Sequence, residues 1–302
     1  MGAWLAEETM RFVTLAAFNL SKRRRSGAAN FPPRQRVDDF QDPVYFKTQF
    51  RFDKADFHRI LMNLGWLLPD GSPKMIHFGR KGRRYSARAD WVFMCLCRRL
   101  AKPCTIEDVC LVCGGGRTAV DDAIIFAMDF VYERYKSRLC DLRRFAPLFP
   151  AMAKHLREAG CPFDNCVGFL DGNNQFNART GGAGNVHECV DQEDLYSGKH
   201  KRHGLLWQAR SATLSNFYPC NSEPFRIVVE NIFAQQGQRF GFTQHTQNQR
   251  LGTSPCGLTY AVSAILFNWT SILDGNQAAS AHGYCTEADV SLEWYMEVGS
   301  DE

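Results

Sequence analysis

The chain has 302 residues, 45% of them hydrophobic and 23% charged, with a formal net charge of +4. That is an ordinary globular composition with enough apolar side chains for one large domain or two smaller ones. The net charge does not by itself announce a nucleic-acid partner, but the bases are clustered at Lys22–Arg25, Arg80–Arg84 and Lys199–His203, and clustered bases attract phosphate even when the total is modest. The 12 cysteines would suggest disulfides in a secreted chain. Glu7 and Glu8 stand where a signal peptide carries positive charge, so reduced, intracellular thiols are expected. Cys110 and Cys113 have zinc-knuckle spacing, but no second Cys or His pair follows at a suitable distance; with Cys95 they are expected in the core.

In chain order, residues 1–44 read as a loosely ordered arm, rich in Arg, Pro and Gly around Pro32-Pro33. A helical region, 45–160, follows. Asp53–Leu64 places Phe57, Ile60, Leu61 and Leu64 on one stripe, and Ala89–Leu100 is a second apolar helix. Thr105 with Asp108 three residues on forms a capping-box pattern for a short helix. Gly114-Gly-Gly116 turns the chain into a long helix from Arg117 to about Tyr135. Two helices joined by a glycine turn suit either a DNA-reading helix–turn–helix or a plain helical hairpin. Asp121 and Asp122, near the start of the second helix, would repel phosphate.

From residue 161 the pattern changes. Cys166–Leu170 is a short apolar run ending at Asp171-Gly172, which reads as a strand followed by a turn. Tyr196-Ser-Gly-Lys-His-Lys-Arg-His203 leads into a second apolar run, Gly204–Trp207. Strand alternation would set Lys199, Lys201 and His203 on one face. Pro224–Gln236 is expected to be helical, with Phe225, Val229, Ile232 and Phe233 on its stripe and Glu230 beside it. Thr253–Asp274 is a last long helix. Its apolar stretch Leu258–Leu273 is short for a membrane span and contains Asn268 and Thr270, so a buried helix and no membrane are expected. Residues 281–302 read as a tail.

Taken singly, Asp171 suits a strand-end metal ligand or an ordinary turn, and Glu230 suits a site or a surface pair with Arg226. In combination, Leu170-Asp171-Gly172, Tyr196–His203, Val229-Glu230 with Phe233, and the tail Leu251-Gly-Thr-Ser-Pro255 through Asn276 resemble the nuclease domain of PIF/Harbinger-type transposases and their domesticated relatives. The resemblance spans roughly residues 40–280. It implies an α+β chain, with a helical, helix–turn–helix-like N-terminal part followed by an RNase H-like nuclease domain at 161–280. It further implies that Asp171 and Glu230 hold catalytic Mg²⁺ (or Mn²⁺), and that Lys199, His200, Lys201, Arg202 and His203 face DNA. A nuclear, or otherwise cytoplasmic, location and a partner protein supplying further DNA binding also follow from it.

One departure bears on activity. In the family a second catalytic Asp lies between the basic motif and the Val-Glu helix; here Ala209–Val229 contains no Asp, and its one acidic residue is Glu223. The nuclease domain is therefore expected to be incomplete. Two carboxylates bind Mg²⁺ more weakly than three, and a catalytic unit missing one member loses most of its rate enhancement. A non-catalytic DNA-binding protein and a decayed transposase product stay open as alternatives to an impaired endonuclease.

Overall fold

The computed structural model describes residues 31–140, 143–158, 161–167, 169–178, 196–211, 233–246, 254–274 and 291–297. The described residues form a mixed α+β architecture in which helices dominate and two small antiparallel sheets are attached.

The first two helices each start at a side-chain cap. Helix α1 (Pro43–Phe50) has Pro43 in its first turn, and the Asp42 carboxylate accepts from the Val44 and Tyr45 N–H groups. In α2 (Lys54–Asn63) the Asp53 side chain accepts from the Asp56 N–H, and Phe57, Ile60 and Leu61 are buried as their spacing predicts. A hairpin follows, β1 (Met75–Phe78) against β2 (Tyr85–Arg88), inside the stretch expected to be wholly helical. Its strands are four residues each, with one buried side chain apiece, so no period-2 signal marks them.

Helix α3 (Ala89–Ala101) is apolar all round and every residue but Arg99 is buried, which is the pattern of a central core helix. Helix α4 (Ile106–Cys113) opens with the anticipated Thr105–Asp108 capping box. Helix α5 (Arg117–Cys140) is the long one and runs five residues beyond the sequence estimate. Cys95, Cys110 and Cys113 are fully buried, as expected of small core residues. Helix α6 (Phe149–Glu158) precedes the second sheet.

The glycine turn between α4 and α5 exists for a close approach. Gly114 has φ +74°, and a Cβ there would lie 1.9 Å from the Pro33 carbonyl oxygen. Residues 31–36 are irregular, yet they dock on this turn: the Gln35 N–H donates to Cys113 O (2.9 Å), the Gly115 N–H donates to Pro32 O (2.8 Å), and the Arg34 guanidinium lies 4.5 Å from the Trp91 ring centre.

One core gathers residues from both sides of residue 160. Helix α7 (Cys256–Asp274) packs along α5, with Trp269 edge-on to Tyr135 at 5.3 Å. It is long and apolar enough to cross a membrane, but Val262, Ile265, Leu266 and Trp269 are fully buried against the other helices. The short α8 (Leu292–Met296), within the stretch read as a tail, adds Leu292, Tyr295 and Met296 to the same cluster.

The basic run Arg80–Arg84 forms the turn of the β1–β2 hairpin, and two of its bases are neutralised internally. Arg80 Nε and Arg83 Nη2 each lie 2.9 Å from Asp122 Oδ1, and Arg80 Nη2 lies 2.6 Å from Asp121. Hydrogen bonds from Arg83, reinforced by Arg80 and opposed by burial, hold the Asp122 carboxyl below the usual carboxylate range. The Asp122 side chain has no exposed surface, so removing its charge strands two guanidiniums. D122N is expected to lower stability at neutral pH by about 1–3 kcal/mol, read by denaturant unfolding. Because the folded-state pKa is depressed, the charge contribution is present above the unfolded pKa of about 3.9 and is lost as pH falls through the folded value. The gap between wild type and D122N should therefore narrow below about pH 4.

Candidate functional site

The second sheet has the order β3–β5–β4. Strand β3 (Phe169–Phe176) pairs antiparallel with β5 (Arg202–Ser211), and β5 pairs with the short β4 (Tyr196–Ser197). The backbone register sets Asp171 opposite Ala209 and Gly172 opposite Gln208. The sequence suggests a strand that stops at Asp171 and turns at Gly172; instead the strand runs straight through both. The long partner β5 offers a hydrogen-bonding edge over the whole segment, and Gly172 takes an ordinary extended conformation, so the Asp-Gly turn signal is overridden.

The polar side chains after Gly172 are tied to helix α7 and to β5. Asn173 Nδ2 donates to the Tyr260 hydroxyl (2.9 Å), and the Trp207 indole N–H donates to Gln175 Oε1 (2.9 Å). The Trp207 and Tyr260 rings stack at 4.7 Å with an interplanar angle of 18°. Burial raises the Tyr260 pKa, with the Asn173 hydrogen bond acting the other way, so this hydroxyl stays protonated at neutral pH.

The basic motif is a hairpin turn rather than the edge of a strand. Tyr196-Ser197 pairs with Arg202-His203, residues 198–201 form the turn, and Lys201 takes φ +53°. Lys199, His200 and Lys201 therefore do not alternate with His203 on one face, because strand geometry begins only at Arg202. What the turn does is divide the five residues. Lys199, His200 and Arg202 border a cavity of about 650 Å³ floored by Asn173, Gln175 and Phe176. Arg202 lies over the Phe176 ring at 5.4 Å, and the His200 ring meets Phe176 edge-on at 5.5 Å. His203 instead packs edge-on against Tyr196 at 5.3 Å, and Lys201 is exposed. The opposite wall comes from the helical residues 233–239 and from the 241–246 segment, including Gln236, Thr243 and Gln244.

Asp171 has its backbone in β3 beside this cavity; its side chain, and the whole of Glu230, lie outside the described residues. Among the described residues that line the cavity there is no carboxylate; the polar groups they offer are amides, hydroxyls and bases. Among the described residues, no three His, Cys, Asp or Glu side chains cluster to hold a metal ion. Mg²⁺ favours carboxylates together with water or substrate phosphate, so the described donors do not by themselves fit it. Comparison with protein-family models, with curated proteins and with solved structures gives no match.

The amides Asn173, Gln175 and Gln236 and the Tyr260 hydroxyl are absent from the sequence-based candidates. Their signal was faint: Asn173 and Gln175 alternate only if β3 continues beyond Asp171-Gly172.

Gly204 fixes how closely β5 approaches β3. A Cβ there would fall 2.7 Å from the Gln175 backbone oxygen, so G204A must push the strands apart. A loss of about 1–3 kcal/mol is expected, with Trp207 fluorescence reporting the disturbed stack on Tyr260.

Proposed function

We propose that this chain is a domesticated PIF/Harbinger-type transposase product that binds the DNA backbone through the Lys199–Arg202 turn and the adjoining cavity, and whose metal-dependent cleavage is impaired. In this reading β3 and β5 are the remaining strands of an incomplete RNase H-like sheet, and α4, the glycine turn and α5 are the descendant of a helix–turn–helix unit. The protein would act in the nucleus, where its partners are DNA and a protein that adds further DNA contacts.

The observation that carries the reading is the pairing of the two motifs. The strand containing Asp171-Gly172 lies directly beside the strand that Tyr196–His203 introduces, so the basic turn rises over the end of β3. The resemblance leads one to expect these motifs as neighbours, and they are separated by more than 20 residues of sequence. Charge supports backbone binding: Lys199 and Arg202 converge on one cavity, and none of its described lining residues is a carboxylate. The α4–α5 unit takes no part in this binding, because Arg117 is paired with Glu107 at 2.7 Å and Arg80 and Arg83 are held by Asp121 and Asp122.

Impaired cleavage follows from the donor set. Ala209–Val229 offers no Asp to complete a triad, and removing one member of such a unit removes most of its effect.

Two measurements test this. In anisotropy titrations of a labelled duplex against salt, the K199A/R202A double variant should bind more weakly, and its log K against log salt slope should be shallower by about 2. Unchanged affinity and slope would sink the binding assignment. In plasmid nicking with Mg²⁺ or Mn²⁺, wild type and D171A should be equally close to background. Robust nicking abolished by D171A would instead establish an active nuclease.

A further inference from the structure

The cavity beside the basic turn carries more than a phosphate grip requires. Contact with phosphate asks only for exposed bases, and Lys199 and Arg202 supply them at the rim. Much of the remaining lining is carboxamides and aromatic rings. The carboxamides fall into two groups. Asn173 Nδ2 donates to the Tyr260 hydroxyl and Gln236 Nε2 to Ser263 Oγ, each at 2.9 Å, and Gln175 Oε1 accepts from the Trp207 indole. These three are committed to holding the structure together. Asn174 on β3 and Gln244 on the facing segment also line the cavity, and their carboxamides have no hydrogen-bond partner among the described residues.

The Phe176 ring is accessible in a similar way. Asn174 and Phe176 are two residues apart on β3 and so share one face of the strand. The residue opposite Phe176 is Gly204, which has no side chain to cover the ring. Arg202 lies over Phe176 at 5.4 Å, more loosely than Arg99 over Phe242 at 3.9 Å. Arg202 and His200 are both exposed, so they are free to move aside or close over another planar group.

A ligand matched to these groups has a negative charge at one end and, at the other, a flat aromatic ring with donors and acceptors along its edge. A nucleotide has both. In a duplex the faces of each base are covered by its neighbours and its pairing edge is in use, whereas an unpaired base offers face and edge together. The cavity volume of about 650 Å³ falls among small-ligand sites, roughly 300–1,000 Å³. We propose that the cavity holds one unpaired nucleotide of a DNA strand. Its phosphate meets Lys199 and Arg202, its base lies against Phe176, and the Asn174 and Gln244 carboxamides meet the base edge. This rests on the reading of the Lys199–Arg202 turn as a contact to the DNA backbone, and it adds a selectivity for single-stranded over paired DNA.

The test is anisotropy competition with the full chain at constant ionic strength. The competitors are a blunt duplex, a duplex with a short adenine extension, and one with the same extension made abasic, all matched in phosphate count. The adenine extension should bind about tenfold more tightly than the other two, because a base stacked on an aromatic side chain adds affinity that phosphate alone does not. In F176L and in N174A that advantage should shrink to about twofold or less. Equal binding of all competitors, with K199A/R202A still weakening each, overturns the unpaired-nucleotide site and leaves the backbone reading standing. If K199A/R202A weakens none of them, both fall. Displacement of the adenine extension by an equal concentration of free dAMP would assign the cavity to a mononucleotide and overturn the strand assignment. Should F176L or N174A not fold, the adenine and abasic extensions compared on wild type decide alone.

Discussion

Burial of helix α3 on nearly every side is the constraint on which the rest of the structure depends. A helix with apolar residues on every side must be surrounded, and here α1, α4, α5 and the β1–β2 hairpin all pack against it. Its few polar groups are handled individually. Asp90 accepts from Arg88 and from the Trp91 N–H, and the Trp91 indole donates to Cys113 O at 2.9 Å. That last bond ties the first turn of α3 to the end of α4, where Gly114 lets the Pro33 segment close over the turn. At the other end of the helix, Arg98 Nε and Nη1 are buried without a hydrogen-bond partner among the described residues.

The three-stranded sheet is attached in a different way. No described residue of β3, β4 or β5 belongs to the main apolar cluster, and Leu206 and Tyr196 are largely exposed. Among the described residues the sheet is held by the Trp207–Tyr260 stack, by Asn173 Nδ2 donating to the Tyr260 hydroxyl and by Gln175 Nε2 donating to Cys256 O at 3.5 Å. Directional polar contacts of this sort fix a position while burying little area.

Helical packing was legible in the sequence because its signals are local. The Phe57-Ile60-Leu61 stripe, the Thr105–Asp108 box and the apolar run of α7 each lie within a few turns of chain. The β1–β2 hairpin was not, since His77 and Ser86 face outward on strands too short to alternate visibly. Asp171-Gly172 looked like a strand end because the local pair favours a turn, whereas the distant β5 edge decides the outcome. The two basic runs looked alike in composition. One is spent on Asp121 and Asp122 across some forty residues of chain, and the other borders a cavity whose described lining holds no carboxylate. Only tertiary pairing separates them.

The central claim is that the Tyr196–His203 turn, and not the α4–α5 unit, is where the chain meets nucleic acid. Hydrogen exchange with and without a DNA duplex tests it most directly. The account predicts that slowed exchange on adding DNA is concentrated in residues 196–205 and the facing part of β3, with α4 and the start of α5 unchanged. Protection centred on residues 105–122, with the 196–205 amides unaffected, would contradict it.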